Sequence, residues 1–352
     1  MDDHLMARKR KSTSNLSPTV KKRLRQAWRD HKLVLFLGAG VSQPYGLPMW
    51  SDLVLTLLVD EYPEQFKSLW AHYRRPFGSW LSETYGLTPM MLARLSQWKF
   101  QSKGRGCSFP EYLRDMLYQD PKPQPKGATA LKAVAKLASL SEQSGRRIPL
   151  IITLNFDDLL EQELEALGVP VQTVYNDARK NGNGLPILHP HGFLPSKGTP
   201  PEAGLVFAED EYHKLSFSSI HWAQVEMLNA LRNHTVLFIG LSMSDPNLRR
   251  LLDASHIPND PPSHFLFRKN YILTQAERTK AARTINERML SQFSTGQPIQ
   301  ANLKNSRQFE SAINNMLSAQ HLYDEQLFRD MGVEAIWYTE HSDIPVMLRE
   351  IH

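Results

Sequence analysis

Leu33-Val34-Leu35-Phe36-Leu37-Gly38-Ala39-Gly40-Val41-Ser42, running on through Gly46-Leu47-Pro48-Met49-Trp50, is the stretch that decides the fold class. An unbroken apolar run before the first glycine suits a strand buried on both faces of a parallel sheet, because a strand with one wet face would alternate. The predicted fold is therefore α/β, a Rossmann-like doubly wound parallel sheet. Glycine at the turn permits positive φ and a close backbone approach, and a helix N-terminus behind it favours an anion. Gly38, Ala39 and Gly40, with the Ser42 hydroxyl, thus have the chemistry of a phosphate cradle, and a nucleotide is the leading ligand. The plainer reading, glycine for tight packing alone, stays open. Gln43 occupies the sixth position from Gly38, so the GxGxxG of dehydrogenases is absent, as is the GxxxxGK[ST] of P-loop enzymes.

A chain of 352 residues with 41% hydrophobic content can bury a substantial core. No apolar stretch reaches the length of a bilayer span and the N-terminus lacks a signal-peptide core, so the expectation is a cytoplasmic protein without a membrane role. The single cysteine, Cys107, excludes an internal disulfide and any cysteine-rich zinc site. The net charge of +5 is uneven: residues 1–25 carry eight Lys/Arg against two Asp, leaving 33 basic and 34 acidic residues elsewhere. Residues 1–25 are accordingly expected to be a disordered basic tail. It is read either as a solvated arm or as a site of weak, nonspecific contact with nucleic acid or an acidic partner.

The remaining chain, 26–352, reads as one domain. Helical spacing dominates about 51–147, a predicted helical insertion broken by a linker at Pro121–Pro125. Helix returns over Ala128–Leu140. A second buried strand, Leu150–Leu154, ends at Asn155, with the next helix expected from Asp157. Further strands are predicted at Val171–Tyr175, Ile187–Leu188, Val236–Ile239, Phe265–Phe267 and Ala335–Tyr338, with loops at Asn176–Gly184 and Pro195–Pro201. Two amphipathic helices are expected over 274–330, and a last helix over Ile344–Ile351. Alternation of this kind indicates a parallel sheet covered on both faces.

Three clusters fall where strands end: Thr153-Leu154-Asn155-Phe156-Asp157, His189-Pro190-His191-Gly192 and Gly240-Leu241-Ser242-Met243-Ser244-Asp245. Open α/β sheets place ligands there. Each cluster also has a structural reading. Asn155 is the right residue type to cap a helix from Phe156, and Asp245 to cap one at Pro246. His191 is one of 13 histidines, and Ser242 suits a turn. If Leu-His-Pro-His is extended, His189 and His191 point the same way. With no third ligand at a compelling spacing, no metal site is predicted.

Taken in order, GAG-x-S at Gly38–Ser42, G-L-P at Gly46–Pro48, T-L-N-F-D at Thr153–Asp157, H-G at His191–Gly192 and G-x-S at Gly240–Ser242 resemble sirtuin-like domains. The closest resemblance is to the bacterial branch that serves anti-phage defence. The sirtuin motif GIPDFR keeps its aromatic as Trp50 but has Met49 and Ser51 in place of the acid and the arginine. One cysteine cannot build the zinc ribbon of protein-deacylating sirtuins. The resemblance implies an NAD⁺ glycohydrolase, releasing nicotinamide and ADP-ribose without zinc. It assigns Asn155 and His191 to catalysis: Asn155 orients ribose and water, and His191 is the base. Gly38, Ala39, Gly40, Ser42, Trp50, Asp157, Gly240 and Ser242 would hold the dinucleotide, with Asp245 binding ribose or capping its helix.

The resemblance further implies a homo-oligomer and, for a chain without an attached sensor domain, pairing with a HerA-type hexameric ATPase; short-Argonaute partnership is a second possibility. Two alternatives of other classes remain at this stage. One is a nonenzymatic sensor of NAD or ADP-ribose. The other is an NAD-dependent protein deacylase or ADP-ribosyltransferase.

Overall fold

The chain forms a three-layer α/β fold in a computed structural model that describes residues 16–60, 76–119, 122, 125–177, 183–202, 204–217, 221–257, 260–270 and 306–352. Seven strands make its central sheet: β1 (Leu33–Leu37), β2 (Ile151–Thr153), β3 (Val171–Val174), β4 (Leu185–Leu188), β5 (Thr235–Ile239), β6 (His264–Lys269) and β7 (Val333–Tyr338). All neighbours pair in parallel, in the order β3-β4-β2-β1-β5-β6-β7. Every strand expected from the apolar runs is present, and the doubly wound, Rossmann-like arrangement follows.

β1 lies at the centre because no residue of it is polar: Leu33, Val34, Leu35 and Phe36 are fully buried. Its side chains alternate between two cores. Leu33, Leu35 and Leu37 face α1 (Pro18–Arg29), α5 (Ala130–Gln143), α6 (Leu159–Glu165) and α11 (Asp343–Arg349). Val34 and Phe36 face α8 (Trp222–Asn233), α9 (Pro246–Ser255) and the end of α10 (Ser306–Asp330). Between β1 and β2 the labelled elements are all helices: α2 (Trp50–Asp60), α3 (Pro89–Ser102), α4 (Phe109–Leu117) and α5. α7 (Glu209–Phe217) lies between β4 and α8. Among the described residues, no helix is long and apolar enough to cross a membrane.

The chain leaves β1 toward β2 on one side and later returns to place β5 on the other. The carboxyl ends of β1 and β5 therefore flank the switch point, where a crevice opens in such sheets.

The expected basic tail is corrected in its second half. Ser17 caps α1, its side chain accepting from Val20 N, and Val20, Leu24, Ala27 and Trp28 form one buried stripe. Lys21 pairs with Glu350 at 2.7 Å and Arg23 with Glu334 at 2.6 Å, while Arg25 Nε donates to the Glu350 carbonyl. These cations are spent inside the fold, so they do not form a loose basic arm. Residues 1–15, much of the Pro121–Pro125 linker, part of the Asn176–Gly184 loop and the first helix expected in 274–330 lie outside the described residues.

Leu24 is fully buried, so Leu24→Ala should lower the unfolding free energy by about 2–5 kcal/mol in urea titrations. A solvated tail would show almost no change.

Candidate functional site

Four neighbouring strands, β4, β2, β1 and β5, deliver the predicted residues to one edge of the sheet. After β1 the chain does not enter a long helix. It makes two three-residue 3₁₀ turns, Ala39–Val41 and Gln43–Tyr45, and Gly46 closes the second at φ 93°. Gly38 N donates to Ile239 O and Gly40 N to Gly240 O, each at 3.0 Å, while Val41 N and Ser42 N donate back to Gly38 O and Ala39 O. The amides of Gly38 and Gly40 are thus hydrogen-bonded within the protein. The glycines are required because two backbones touch here. A Cβ on Gly40 would lie 2.9 Å from Gly240 Cα, and one on Gly240, at φ +70°, would lie 2.8 Å from Val41 N.

Asn155 does not cap a helix. The helix expected from Asp157 begins at Leu159, and residues 155–158 are loop. Asn155 Nδ2 donates to Ser42 Oγ at 3.0 Å and to Gly38 O at 3.3 Å. Ser42 Oγ in turn donates to Asp157 Oδ2 at 2.8 Å, and Asp157 Oδ1 accepts from Leu159 N. An amide, a hydroxyl and a carboxylate therefore form one buried relay tied to the glycine turn. Burial drives the Asp157 carboxyl up to about 6, partly opposed by the Ser42 and Leu159 hydrogen bonds.

The relay borders a cavity of ≈ 50 Å³, whose walls include Ala39, Ser42, Trp50, Asn155, Phe156 and Asp157. That volume admits water and not a whole dinucleotide. Trp50 contributes a buried Nε1 without a hydrogen-bond partner, an indole donor left unused beside the cavity.

The two histidines do not share a face. Gly192 N donates to His189 O, closing a turn, and Gly192 takes φ +102°. His189 turns inward, 2.9 Å from both the Asn155 carbonyl and Glu161 Oε1. Burial opposes its charge, yet the Glu161 carboxylate and the Asn155 carbonyl outweigh that and hold its proton above the ordinary histidine range. His191 turns toward β5 instead, its Nε2 3.5 Å from Asp245 Oδ2. Burial holds its pKa below the ordinary value, partly opposed by Asp245, so the ring is neutral at neutral pH. His191 is not among the cavity walls beside Asn155. The two are linked through the intervening segment, since His189 bonds the Asn155 carbonyl and Leu194 N donates to Phe156 O.

Asp245 caps α9, Oδ1 accepting from Leu248 N at 2.7 Å. Ser242 is exposed and shares a 2.6 Å hydrogen bond with Ser244. Glu161 and Tyr212 were missed by sequence reasoning. Glu161 sits on a helix whose neighbours Leu160 and Leu164 are core, and Tyr212 on a charged helix, so neither position announced a buried polar role.

Residues 149–290 match the SIR2-like domain. That segment contains Asn155, Asp157, His191 and Asp245; the glycine turn and Trp50 precede it. Over 236 residues the chain is 26% identical to Defense-associated sirtuin 2 of Bacillus subtilis, covering 66% of this chain and 20% of that protein. The chain therefore spans about a fifth of the curated relative it matches. A solved chain described as "Structural Basis for the Mechanism and Regulation of Sir2 Enzymes" superposes with TM-score 0.32 at 15% identity, over 73% of this chain and 89% of that one.

The pKa of Asp157 sets a stability slope of defined sign. An acid raised from 3.8 to about 6 in the folded state binds more protons folded than unfolded between those values. Its contribution to stability is present at low pH and lost as pH rises through that window. Asp157→Asn should flatten the slope, gaining on the unsubstituted protein from pH 3.8 to about 6 and levelling off above it, as read by urea unfolding across pH. Separately, Gly240→Ala should cost about 1–3 kcal/mol by the same measurement, because it adds left-handed strain to a backbone clash.

Proposed function

We propose that this chain is an NAD⁺ glycohydrolase acting in bacterial defence. The observation that carries the reading is the relay from Asn155 through Ser42 to Asp157, tied to Gly38 at the switch point of a sheet whose SIR2-like segment also supplies His191. The relationship to a protein named for defence supports the biological setting.

In the reaction, water adds to the anomeric carbon of the nicotinamide ribose. The bond to nicotinamide breaks with its electron pair going to the ring nitrogen, so a cationic ring leaves neutral and needs no general acid. The products are nicotinamide, ADP-ribose and a proton. The protein's tasks are to hold the sugar, place the water and take up the proton. Both Nδ2 hydrogens of Asn155 are engaged by Gly38 and Ser42, so its Oδ1 is the atom offered to a ribose hydroxyl or the water. Asp157 would accept from the nicotinamide carboxamide, and the unused Trp50 indole N–H would meet an acceptor on the same group. His191, neutral and buried, would receive the proton. With Gly38 and Gly40 amides committed, Ala39 N–H and the exposed Ser242 hydroxyl are the donors this reading assigns to the phosphates.

Purified protein incubated with NAD⁺ should release nicotinamide and ADP-ribose on chromatography. His191→Ala and Asn155→Ala should each lower turnover by about 10²–10⁴-fold with the circular dichroism unchanged. Full activity in both folded variants overturns the site. Consumption that depends on an acetylated peptide, or calorimetric binding without nicotinamide release, overturns the reaction.

A further inference from the structure

We propose that Asp245 is the positioning carboxylate of His191, accepting from its Nε2–H and so presenting Nδ1 as the base, with Tyr212 holding the carboxylate in place. The inference deepens the glycohydrolase reading and rests on it for the role of His191.

Three elements meet at this point. His191 arrives on the turn after β4, Asp245 caps α9 after β5, and Tyr212 lies on α7. The side chains of His191 and Asp245 are 5% and 10% exposed, and Nε2 is buried with no hydrogen-bond partner, 3.5 Å from Asp245 Oδ2. A buried ring nitrogen facing only a carboxylate is costly to leave unpaired. The carboxylate itself is anchored. Its Oδ1 accepts from Leu248 N, the start of α9 favours its negative charge, and the Tyr212 hydroxyl lies near enough to interact with it electrostatically. The Tyr212 ring also meets the imidazole edge-on, with centroids 5.2 Å apart at 67°, which fixes the ring plane.

Among the described residues, Asp245 and Tyr212 face the imidazole. Glu211, beside Tyr212, is turned to the amides of Phe207 and Ala208, and His189 to Glu161. When His191 takes the proton, burial alone would penalise the cation, and an anion behind Nε2 offsets that penalty through a charge-assisted bond. The proton balance is simple. The attacking water loses one hydrogen to Nδ1, its oxygen keeps the electron pair and bonds the anomeric carbon, and Nε2–H stays on the ring against Asp245. The capping and binding alternatives for Asp245 thus give way to a cap that also orients the base.

The test follows the His191 ring by proton NMR titration in the full chain, its C2–H resonance assigned by disappearance in His191→Gln. Asp245→Asn keeps a good N-cap and loses the charge. It should move the His191 midpoint to lower pH and reduce nicotinamide release by about ten- to a thousandfold, chiefly in kcat. Tyr212→Phe removes the polar hydroxyl beside the carboxylate, leaves more charge for the imidazole, and should move the midpoint the opposite way. Unchanged midpoints, or shifts of the same sign in both variants, overturn the pairing. The titration reads the ring and not turnover, so it decides the pairing even if no nicotinamide is released, a failure that would fall on the glycohydrolase reading instead.

Discussion

Two loop backbones in van der Waals contact, Gly38–Gly40 against Gly240, are the constraint on which the rest of this structure depends. The contact is possible only where side chains are missing, since a Cβ on any of the three would overlap backbone or Leu241 at under 3 Å. It closes the β1–β5 end of the sheet and consumes the Gly38 and Gly40 amides. It also fixes Ser42 where its hydroxyl can bridge Asn155 and Asp157. Loosening this contact would separate the first loop from the second and remove the relay.

From that contact outward, the polar interior is organised as two systems. One is the relay of Asn155, Ser42 and Asp157, beside which His189, itself held by Glu161, bonds the Asn155 carbonyl. The other is the His191–Asp245–Tyr212 cluster on the β5 side. The two are linked by the short turn His189–Gly192, so an opening of the β4 loop would move both. Each buried charge in them has a partner or a helix end at hand, as burial in a low dielectric requires. The small cavity between the glycine turn and Trp50 is the space into which the first system looks.

Most of the sheet was legible from the chain. The central strands were legible because a strand covered on both faces is apolar almost throughout, as in Leu33–Leu37, and such runs are bounded by glycine, asparagine or histidine where they emerge, whereas β3 and β7 carry Gln172 and Glu334 among their apolar residues. Residues 18–25 were misread because their cations hide an apolar stripe at helical spacing, and long basic side chains can lie along a core while their heads reach distant carboxylates. The helix after Asn155 and Asp157 begins at Leu159, two residues later than its pattern suggests, since a loop held by side chains from another strand has no local signature.

What the sequence determined by itself was periodic or compositional: the parallel sheet, the helices of the β1–β2 connection, and the residue types gathered at the strand ends. Tertiary structure decided which groups face which. It turned His189 and His191 apart, spent the glycine amides on a neighbouring strand, gave Glu161 and Tyr212 their buried partners, and set Asp245 against an imidazole. Periodicity is a property of consecutive residues and survives in one dimension. Hydrogen-bond partnership joins residues more than a hundred positions apart, as with Ser42 and Asp157, and exists only after the strands have been ordered side by side.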